Sequence, residues 1–128
     1  MNDDLKYLPE EFLNRMNSML GDDFQAFLNS YQQPRTFGLR VNTAKISCEE
    51  FEKIVPFPIS PIPWIPGGYF YPENVRPSKC AFYQAGLYYL QEPSAMTPVS
   101  RLLPKPGEYI LDMCAAPGGK ATALGAAL

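Results

Sequence analysis

The stretch LDMCAAPGGKAT at residues 111–122 constrains the fold more than any other part of the sequence. The apolar, β-favouring run at residues 109–113 leads into it and a segment rich in alanine and leucine follows it, which predicts a strand, a tight loop and the start of a helix. Glycines in such a loop let the backbone approach a ligand, and the helix directs unpaired N–H groups at the same place. The pattern predicts a site for a carboxylate or phosphate or, more simply, a strand-to-helix turn.

Two other glycine-rich loops have different spacings. A Walker A loop needs a glycine where this sequence has Cys114, and a serine or threonine directly after the lysine, where it has Ala121. The adjacent Gly118 and Gly119 do not supply the Gly-x-Gly-x-x-Gly of dinucleotide sites. ATP, GTP and NAD are therefore disfavoured. S-adenosylmethionine fits better, because its methionyl group carries both a carboxylate and an ammonium.

Composition limits the class of protein. The 128 residues, 46% of them hydrophobic, allow one domain or parts of two with a packed core. No apolar run approaches the roughly 20 residues of a membrane helix, and acidic residues stand near the N-terminus where a signal peptide is basic. We therefore expect a cytoplasmic protein with no membrane partner. A net charge of −2 lacks the strong positive charge expected of a stand-alone nucleic-acid binder, so RNA must be held mostly elsewhere.

The chemistry open to the chain is limited by its histidine and cysteine content. The sequence contains no histidine, which excludes Ser-His-Asp and Cys-His catalysis and the usual metal sites. Cys48, Cys80 and Cys114 form no Cys-x-x-Cys pair, so neither a disulfide framework nor a metal site is indicated. A helix N-terminus next to Cys114 could activate its thiol as a nucleophile, but a small residue at a strand end is more often structural.

Residues 1–75 predict a small α+β unit. Pro9 is expected in the first turn of an amphipathic helix that ends at Gly21. Asp22 is expected to cap a second helix, which ends before Pro34, so that the two form a helical hairpin.

The hydrophobic period changes to two at residue 37, which predicts a half-buried strand. Leu39 and Val41 fall on one face, and Arg40 and Asn42 on the other. Arg40 and Asn42 are therefore candidates for contact with RNA phosphate or sugar, although an exposed polar face is the simpler interpretation.

A short helix and a hairpin are predicted next. Ser47 and Glu50 make a capping box in front of the helix. Residues 64–65 and 69–71 then form the two strands of a hairpin around a turn at residues 67–68.

The order of predicted strands and helices in residues 76–128 indicates the start of an α/β sheet. A strand-like run occupies residues 87–91, and Pro93 can begin a helix in which Pro98 is tolerable only near the first turn. The strand at residues 109–113 and the helix after the glycine-rich loop complete the alternating order.

The segments AGLYYLQEPSAM and LDMCAAPGGKAT resemble the Sun (Fmu-type) family of RNA cytosine-5 methyltransferases, and within it the bacterial ribosomal RNA enzymes. FGLRVNTAK and WIPGGYFY are similar to segments upstream of the catalytic domain in that family. The resemblance implies an RNA-associated α+β domain at residues 1–75, followed by the beginning of a Rossmann-like S-adenosylmethionine-binding domain at residues 76–128.

The resemblance also implies roles for individual residues. The implied cofactor loop consists of Cys114, Ala115, Ala116, Pro117, Gly118, Gly119 and Lys120. Lys120 would meet the carboxylate of S-adenosylmethionine, unless it is only an exposed lysine at the helix start. Gln91 and Ser94 would line the cofactor or substrate cleft. Ala121 replaces the threonine or serine common in the family, which removes a contact from that side chain.

The resemblance implies that the catalytic residues lie outside this chain. In the family a cysteine thiolate adds to carbon 6 of the cytosine and a second cysteine resolves the adduct, and both belong to motifs downstream of the loop. Neither motif is present, which implies the N-terminal portion of an enzyme, truncated, inactive alone and prone to self-association through an exposed strand edge near Ile110. The alternative is a small non-catalytic RNA- or ribosome-associated binding module.

Overall fold

The computed structural model describes residues 4–128, which divide into two compact units, one ending at Arg35 and the other spanning Thr36–Leu128. Within the described residues the α-helices are α1 (Glu10–Leu20), α2 (Phe24–Ser30), α3 (Cys48–Ile54), α4 (Ala81–Gln84), α5 (Pro93–Leu102) and α6 (Gly119–Ala127). The strands are β1 (Gly38–Val41), β2 (Ser60–Pro61), β3 (Gly68–Phe70) and β4 (Tyr88–Leu90). Short 3-10 turns lie at Asp4–Tyr7, Gly21–Asp23 and Pro77–Lys79.

The first unit contains the two predicted helices. Gly21 follows α1 with a φ of 53°, and its N–H donates to the Asn17 carbonyl. Aromatic rings of the two helices meet, with the centroids of Phe12 and Phe27 6.2 Å apart. The predicted cap at Asp22 is wrong, because the chain passes from α1 through a 3-10 turn directly into α2. No residue there adopts the extended backbone from which a side chain caps a helix.

The second unit is built on a four-stranded antiparallel sheet in the order β2-β3-β1-β4. β1 lies between β3 and β4, and Leu39 pairs with Tyr69 on one side and Leu90 on the other. The strands predicted near residues 37–42 and 87–91 are thus confirmed. The predicted domain boundary after residue 75 would pass between β3 and β4, which belong to this one sheet. The compact units of the structure divide between residues 35 and 36, and the domain boundary after residue 75 stays a prediction.

Side chains alternate between the two faces of β1, and each face is covered. The side chains of Leu39, Val41, Phe51, Tyr69 and Tyr88 form a buried cluster under α3. A second cluster contains Ile62, Ile65 and Met96, and it packs against Phe70 under α5. Because Arg40 alternates with the residues of the first cluster, it faces the side of the sheet that carries α5. The candidate site lies on that side.

The predicted hairpin exists, but its first strand is displaced. β2 pairs with β3 through Ser60 with Phe70 and Pro61 with Tyr69, so the strand predicted at residues 64–65 is wrong. The Ile65 N–H donates to the Ile62 carbonyl at 3.0 Å, and the Gly68 N–H donates to the Ile65 carbonyl at 3.0 Å. These bonds curl the connection into turns, and the Ile65 side chain is buried in the second cluster instead.

Pro93 is the first residue of α5, as predicted, and the Glu92 side chain caps the helix by accepting from the Ala95 N–H. Pro98 lies in the helix interior, beyond the first turn to which the sequence would confine it. The missing N–H of a proline removes one bond of the helix.

The predicted strand at residues 109–113 is wrong. This segment forms no strand, and the side chains of Tyr109, Leu111 and Met113 are 103%, 83% and 87% exposed. A strand of an α/β sheet requires hydrogen-bonded neighbours and covering helices, and within residues 4–128 no strand pairs with it. The structure therefore shows a mixed helix and antiparallel-sheet architecture, and the start of a Rossmann-like sheet is not seen.

The capping box at the start of α3 is confirmed, and it carries a prediction. The Ser47 hydroxyl accepts from the Glu50 N–H, while the Glu50 carboxylate accepts from both the N–H and the hydroxyl of Ser47. We expect Ser47→Ala to lower the free energy of unfolding by about 1 kcal/mol, measured by urea denaturation with the fluorescence of Trp64, the one tryptophan. Ser78→Ala, at an exposed site, is the matched control and should have no effect.

The pH dependence of this effect follows from the Glu50 carboxylate. Hydrogen bonds from the Ser47 side chain and backbone lower the pKa of Glu50 below its ordinary value. Stabilisation by the ionised carboxylate is therefore present above the ordinary pKa and lost as the pH falls through the lowered one. The difference between the original chain and Ser47→Ala should shrink in acid, and a difference that is constant with pH would contradict this account.

Candidate functional site

The glycine-rich loop ends where α6 begins. Gly118 precedes the helix with a φ of 112°, in the left-handed region that favours glycine. Its carbonyl accepts a hydrogen bond from the Thr122 N–H at 2.8 Å. Within residues 4–128 no side chain caps this helix. The N–H groups of its first turn are therefore available to an anionic ligand.

The first part of the glycine-rich loop is exposed to solvent. Residues 114–117 are exposed, and residues 118–120 are half-buried. The Asp112 carboxylate turns the chain into the loop by accepting from the Cys114 N–H through Oδ1, at 2.9 Å. Its Oδ2 atom is buried and has no hydrogen-bond partner among the described residues. A ligand with N–H donors could satisfy this oxygen.

Gln91, at the end of β4, packs against the start of α6. A Cβ atom at position 119 would lie 2.9 Å from Gln91 Nε2, so Gly119 is the residue that leaves room for the amide. Nε2 donates to the Ala95 carbonyl at 3.0 Å, which fixes the orientation of the amide because a carbonyl can only accept. Oε1 is buried without a partner in the part of the chain that the structure describes. Gln91 thus lies beside the loop, where a cleft-lining role would require it.

Ser94 has a different position from Gln91. Its exposed hydroxyl donates to the Glu92 carboxylate, which also accepts from the Ala95 N–H at 3.1 Å. The hydroxyl thus takes part in the cap of α5. Among the described residues no hydrogen bond joins Ser94 to the glycine-rich loop.

Arg40 connects the sheet to α6. Its Nη1 atom donates to the Gly119 carbonyl at 3.3 Å, and its Nη2 atom donates to the Thr122 hydroxyl at 3.0 Å. The guanidinium lies 5.8 Å from the centre of the Tyr89 ring. Burial lowers the pKa of Arg40 below its ordinary value, but an arginine remains charged. The polar face of β1 thus holds the start of α6, which neither sequence interpretation of Arg40 anticipates.

Asn42 and Lys45 line a pocket of about 200 Å³ beside Arg40 and Tyr89. The Asn42 amide donates to the Gly86 carbonyl at 3.0 Å, and its Oδ1 atom accepts from the Ala44 N–H at 3.3 Å. Lys45 Nζ donates to the Ala85 carbonyl at 2.7 Å. In the described part of the chain neither Lys45 nor Arg40 forms an ion pair with a carboxylate. Two cations in one pocket attract anionic ligands.

The structure brings together only part of the predicted site. Gln91 and Arg40 both reach the start of α6, whereas Ser94 and Asn42 bond elsewhere. Lys120 is half-buried and forms no hydrogen bond or ion pair with the residues described here. Tyr89 and Thr122 were not predicted. Tyr89 could have been found from strand alternation, since it pairs with Arg40 across the sheet, but nothing in the sequence signals the contact of Thr122.

Two further properties of residues 4–128 bear on the site. They contain no cluster of three potential metal ligands among cysteine, aspartate and glutamate. No helix among them is long and apolar enough to cross a bilayer.

Fold and site define a protein of helices and a small antiparallel sheet, with a glycine-rich loop at the uncapped start of a helix. Residues 8–93 match the family described as the N-terminal domain of 16S rRNA methyltransferase RsmF. The chain belongs to this family, and the resemblance to RNA methyltransferases noted from the sequence is confirmed.

Relatives and solved structures agree with this family. Ribosomal RNA small subunit methyltransferase F of Vibrio atlanticus is 38% identical over an alignment of 130 positions, which covers 94% of this chain and 28% of that protein. The protein of the same name from Vibrio cholerae is 40% identical, covering 93% and 27%. The crystal structure of a methyltransferase homolog from Pyrococcus horikoshii has a TM-score of 0.79 at 32% identity, covering 93% of this chain and 40% of that one. The chain thus spans little more than a quarter of the curated relatives it matches.

Proposed function

We propose that this chain is part of an RNA cytosine-5 methyltransferase that uses S-adenosylmethionine and acts on ribosomal RNA. In this proposal the glycine-rich loop and α6 bind the methionyl end of the cofactor, and the sheet faces the RNA. Ribosomal RNA is proposed from the names of the relatives, and cytosine carbon 5 from the resemblance of residues 111–122 to the Sun (Fmu-type) enzymes. A cytoplasmic location follows from such a substrate.

The observation that carries the proposal is the uncapped N-terminus of α6 behind Gly118. A carboxylate placed there would accept hydrogen bonds from the first-turn N–H groups and interact favourably with the helix dipole. Lys120, in the same turn, would add a positive charge. Asp112, whose Oδ1 atom accepts from the Cys114 N–H of the loop, has a buried Oδ2 atom without a partner in the described residues, and an ammonium group would supply a donor for it. The residues present therefore suit a ligand with an amino acid end, such as S-adenosylmethionine.

S-adenosylmethionine, when bound, supplies an activated methyl group. The residues of this chain would bind and orient its methionyl end. We propose that they carry no catalytic group. Cys48 is half-buried against the first core cluster, Cys80 is half-buried, and Cys114 is exposed in the loop itself. A catalytic cysteine must reach the base that it attacks.

The RNA would lie against the pocket that contains Arg40, Asn42 and Lys45. Arg40 uses two of the five N–H donors of a guanidinium for α6, which leaves donors for a phosphate. Lys45 is exposed and could meet a second phosphate. We also propose that the chain self-associates through the exposed apolar side chains of residues 109–113.

Calorimetry with S-adenosylmethionine tests the cofactor site directly. We expect the 128-residue chain to bind the compound, and methionine to compete because it carries the same carboxylate and ammonium. Methyl transfer to ribosomal RNA should remain undetectable in a parallel assay with labelled cofactor. Methyl transfer by this chain would contradict the proposed absence of catalytic residues.

The same measurements decide between this function and a non-catalytic binding module. The pocket of Arg40 and Lys45 is the feature that would serve such a module. Binding of RNA without any binding of S-adenosylmethionine or methionine would favour the module and refute the cofactor loop.

A further inference from the structure

The side chain of Arg40 spans the distance between the sheet and the glycine-rich loop. It starts on the central strand β1, which is fixed by β3 and β4 on its two sides. It ends on α6, with hydrogen bonds to the Gly119 carbonyl and the Thr122 hydroxyl. The loop itself is exposed, and the predicted strand in front of it is absent from the structure. The orientation of the helix start therefore depends on contacts such as these.

Thr122 continues the connection back to the loop. Its hydroxyl accepts from Arg40 and donates to the Gly118 carbonyl at 2.7 Å. A hydroxyl that accepts from a cation becomes a better donor, so the two bonds strengthen each other. Arg40 thereby acts on the residue that precedes the helix as well as on its first residue.

Tyr89 makes a second connection from the sheet. It pairs with Arg40 across β1 and β4, and its hydroxyl donates to the Pro117 carbonyl at 3.4 Å. Its ring lies beside the guanidinium, at 5.8 Å from the centroid. Arg40 and Tyr89 together contact three consecutive residues of the loop, 117–119, directly or through Thr122.

The hydrogen bonds of Arg40 offset the cost of partly burying its charge. The side chain is half-buried, and no carboxylate among the described residues pairs with it. Partial burial of a cation without an ion pair carries a desolvation cost that a methionine of similar length would avoid. The donors of the guanidinium are what a methionine would lack.

We propose that Arg40 is a positioning residue for the glycine-rich loop, which fixes the start of α6 on the sheet in the orientation that binds the ligand carboxylate. The identity of the ligand rests on the proposed function, whereas the positioning itself does not. By the reciprocity of linked equilibria, a ligand bound at the loop also favours the conformation in which Arg40 is bound to α6.

Hydrogen exchange of the ligand-free chain, measured by mass spectrometry, tests the positioning. We expect Arg40→Met to accelerate exchange in residues 122–127, whose amides are bonded within α6, by about 10-fold, since the bond of a charged donor contributes about that ratio to the closed state. Thr122→Val should act in the same region without changing the charge. Exchange in the double variant should be only slightly faster than in either single variant, because both substitutions remove the same hydrogen-bond network. Arg15→Met, at an exposed arginine of α1, is the control for loss of charge.

Rescue and ligand binding separate positioning from a general loss of stability. Arg40→Lys keeps the charge but lacks the planar fork of donors that the guanidinium presents to its two acceptors. Its exchange rate should therefore lie between those of the original chain and Arg40→Met. In calorimetry, the affinity for S-adenosylmethionine should fall about 10-fold in Arg40→Met and in Thr122→Val. In Thr122→Val the free energy of unfolding, measured by urea denaturation with Trp64 fluorescence, should change less than the free energy of binding.

Three results would overturn the positioning role. These are unprotected amides at residues 122–127 in the original chain, exchange unchanged in both Arg40→Met and Thr122→Val, and additive effects in the double variant; any one of them suffices. A loss of RNA binding in Arg40→Met without any change in exchange would assign Arg40 to the RNA instead. If the original chain binds no S-adenosylmethionine, the proposed function fails, and the exchange data still decide the positioning role.

Discussion

Gly38→Ala is expected to lower the free energy of unfolding of the second unit by at least about 2 kcal/mol, although alanine is the smallest side chain that can be added. A Cβ atom at this position would lie 2.7 Å from the Gln91 carbonyl oxygen, 3.0 Å from Met96 Cε and 3.1 Å from Pro93 Cγ. The side chain of Met96 can move, but the carbonyl is backbone. The added atom therefore forces β4 and the start of α5 away from β1.

The backbone contact is what makes the effect of Gly38→Ala large. The Gln91 N–H donates to the Gly38 carbonyl at 3.0 Å, so the two residues that would be driven apart also share a hydrogen bond between β1 and β4. The gain from removing a flexible glycine is about 0.5–1 kcal/mol and offsets only part of this cost. The displacement should reach the candidate site, because Gln91 packs against Gly119.

Urea and thermal denaturation followed by Trp64 fluorescence measure this effect within the second unit. We expect the midpoint of thermal unfolding to fall by roughly 10 °C. Gly125→Ala is the matched control, since a Cβ atom there meets nothing within 4 Å and alanine favours the helix by up to about 1 kcal/mol. Equal midpoints for the two variants would show that β1 and β4 do not pack as the structure has them.

In the second unit, the sequence predicts local structure well where that structure depends on a single capping residue or on a short alternation of apolar and polar residues. The capping box of Ser47 depends on contacts within four residues, and β1 depends on an alternation that its own side chains display. The strand predicted at residues 64–65 is wrong because its apolar pattern reflects tertiary packing and not the local backbone. Ile65 is apolar because the core beneath α5 requires it, and its backbone is held in turns by local bonds.

The strand predicted at residues 109–113 shows that a sequence pattern alone cannot establish a strand. An apolar, β-favouring run can form a strand only if other strands supply hydrogen bonds, and the residues of the run itself do not indicate whether such strands are present. In the candidate site the glycine-rich loop could be predicted because glycines and a helix start suffice to define it. The contacts of Arg40 with Gly119 and Thr122 could not, because they join positions far apart in sequence, and a polar residue on a strand face gives no sign of its partner.

Gly118→Asp is expected to reduce the affinity for S-adenosylmethionine by at least about 100-fold, because like charges brought together at a binding site cost several kcal/mol. Gly118 directly precedes the first turn of α6, where the ligand carboxylate is proposed to bind. Gly118→Asn is the matched control. Asparagine has the same shape as aspartate without the charge, and it tolerates the left-handed backbone better than most residues. It should weaken binding by less than about 10-fold.

The two variants also separate charge from backbone strain. Both place a side chain at a φ of 112°, so both should lose helix content to a similar small extent in circular dichroism. A negative side chain at a helix start stabilises the helix itself, so the aspartate variant should be no less helical than the asparagine variant while it binds far more weakly. That combination is the result expected if the ligand is anionic where it meets α6. If both variants bind equally well, the carboxylate of the ligand does not lie at this helix start, and if both fail equally, the loop conformation rather than its electrostatics governs binding.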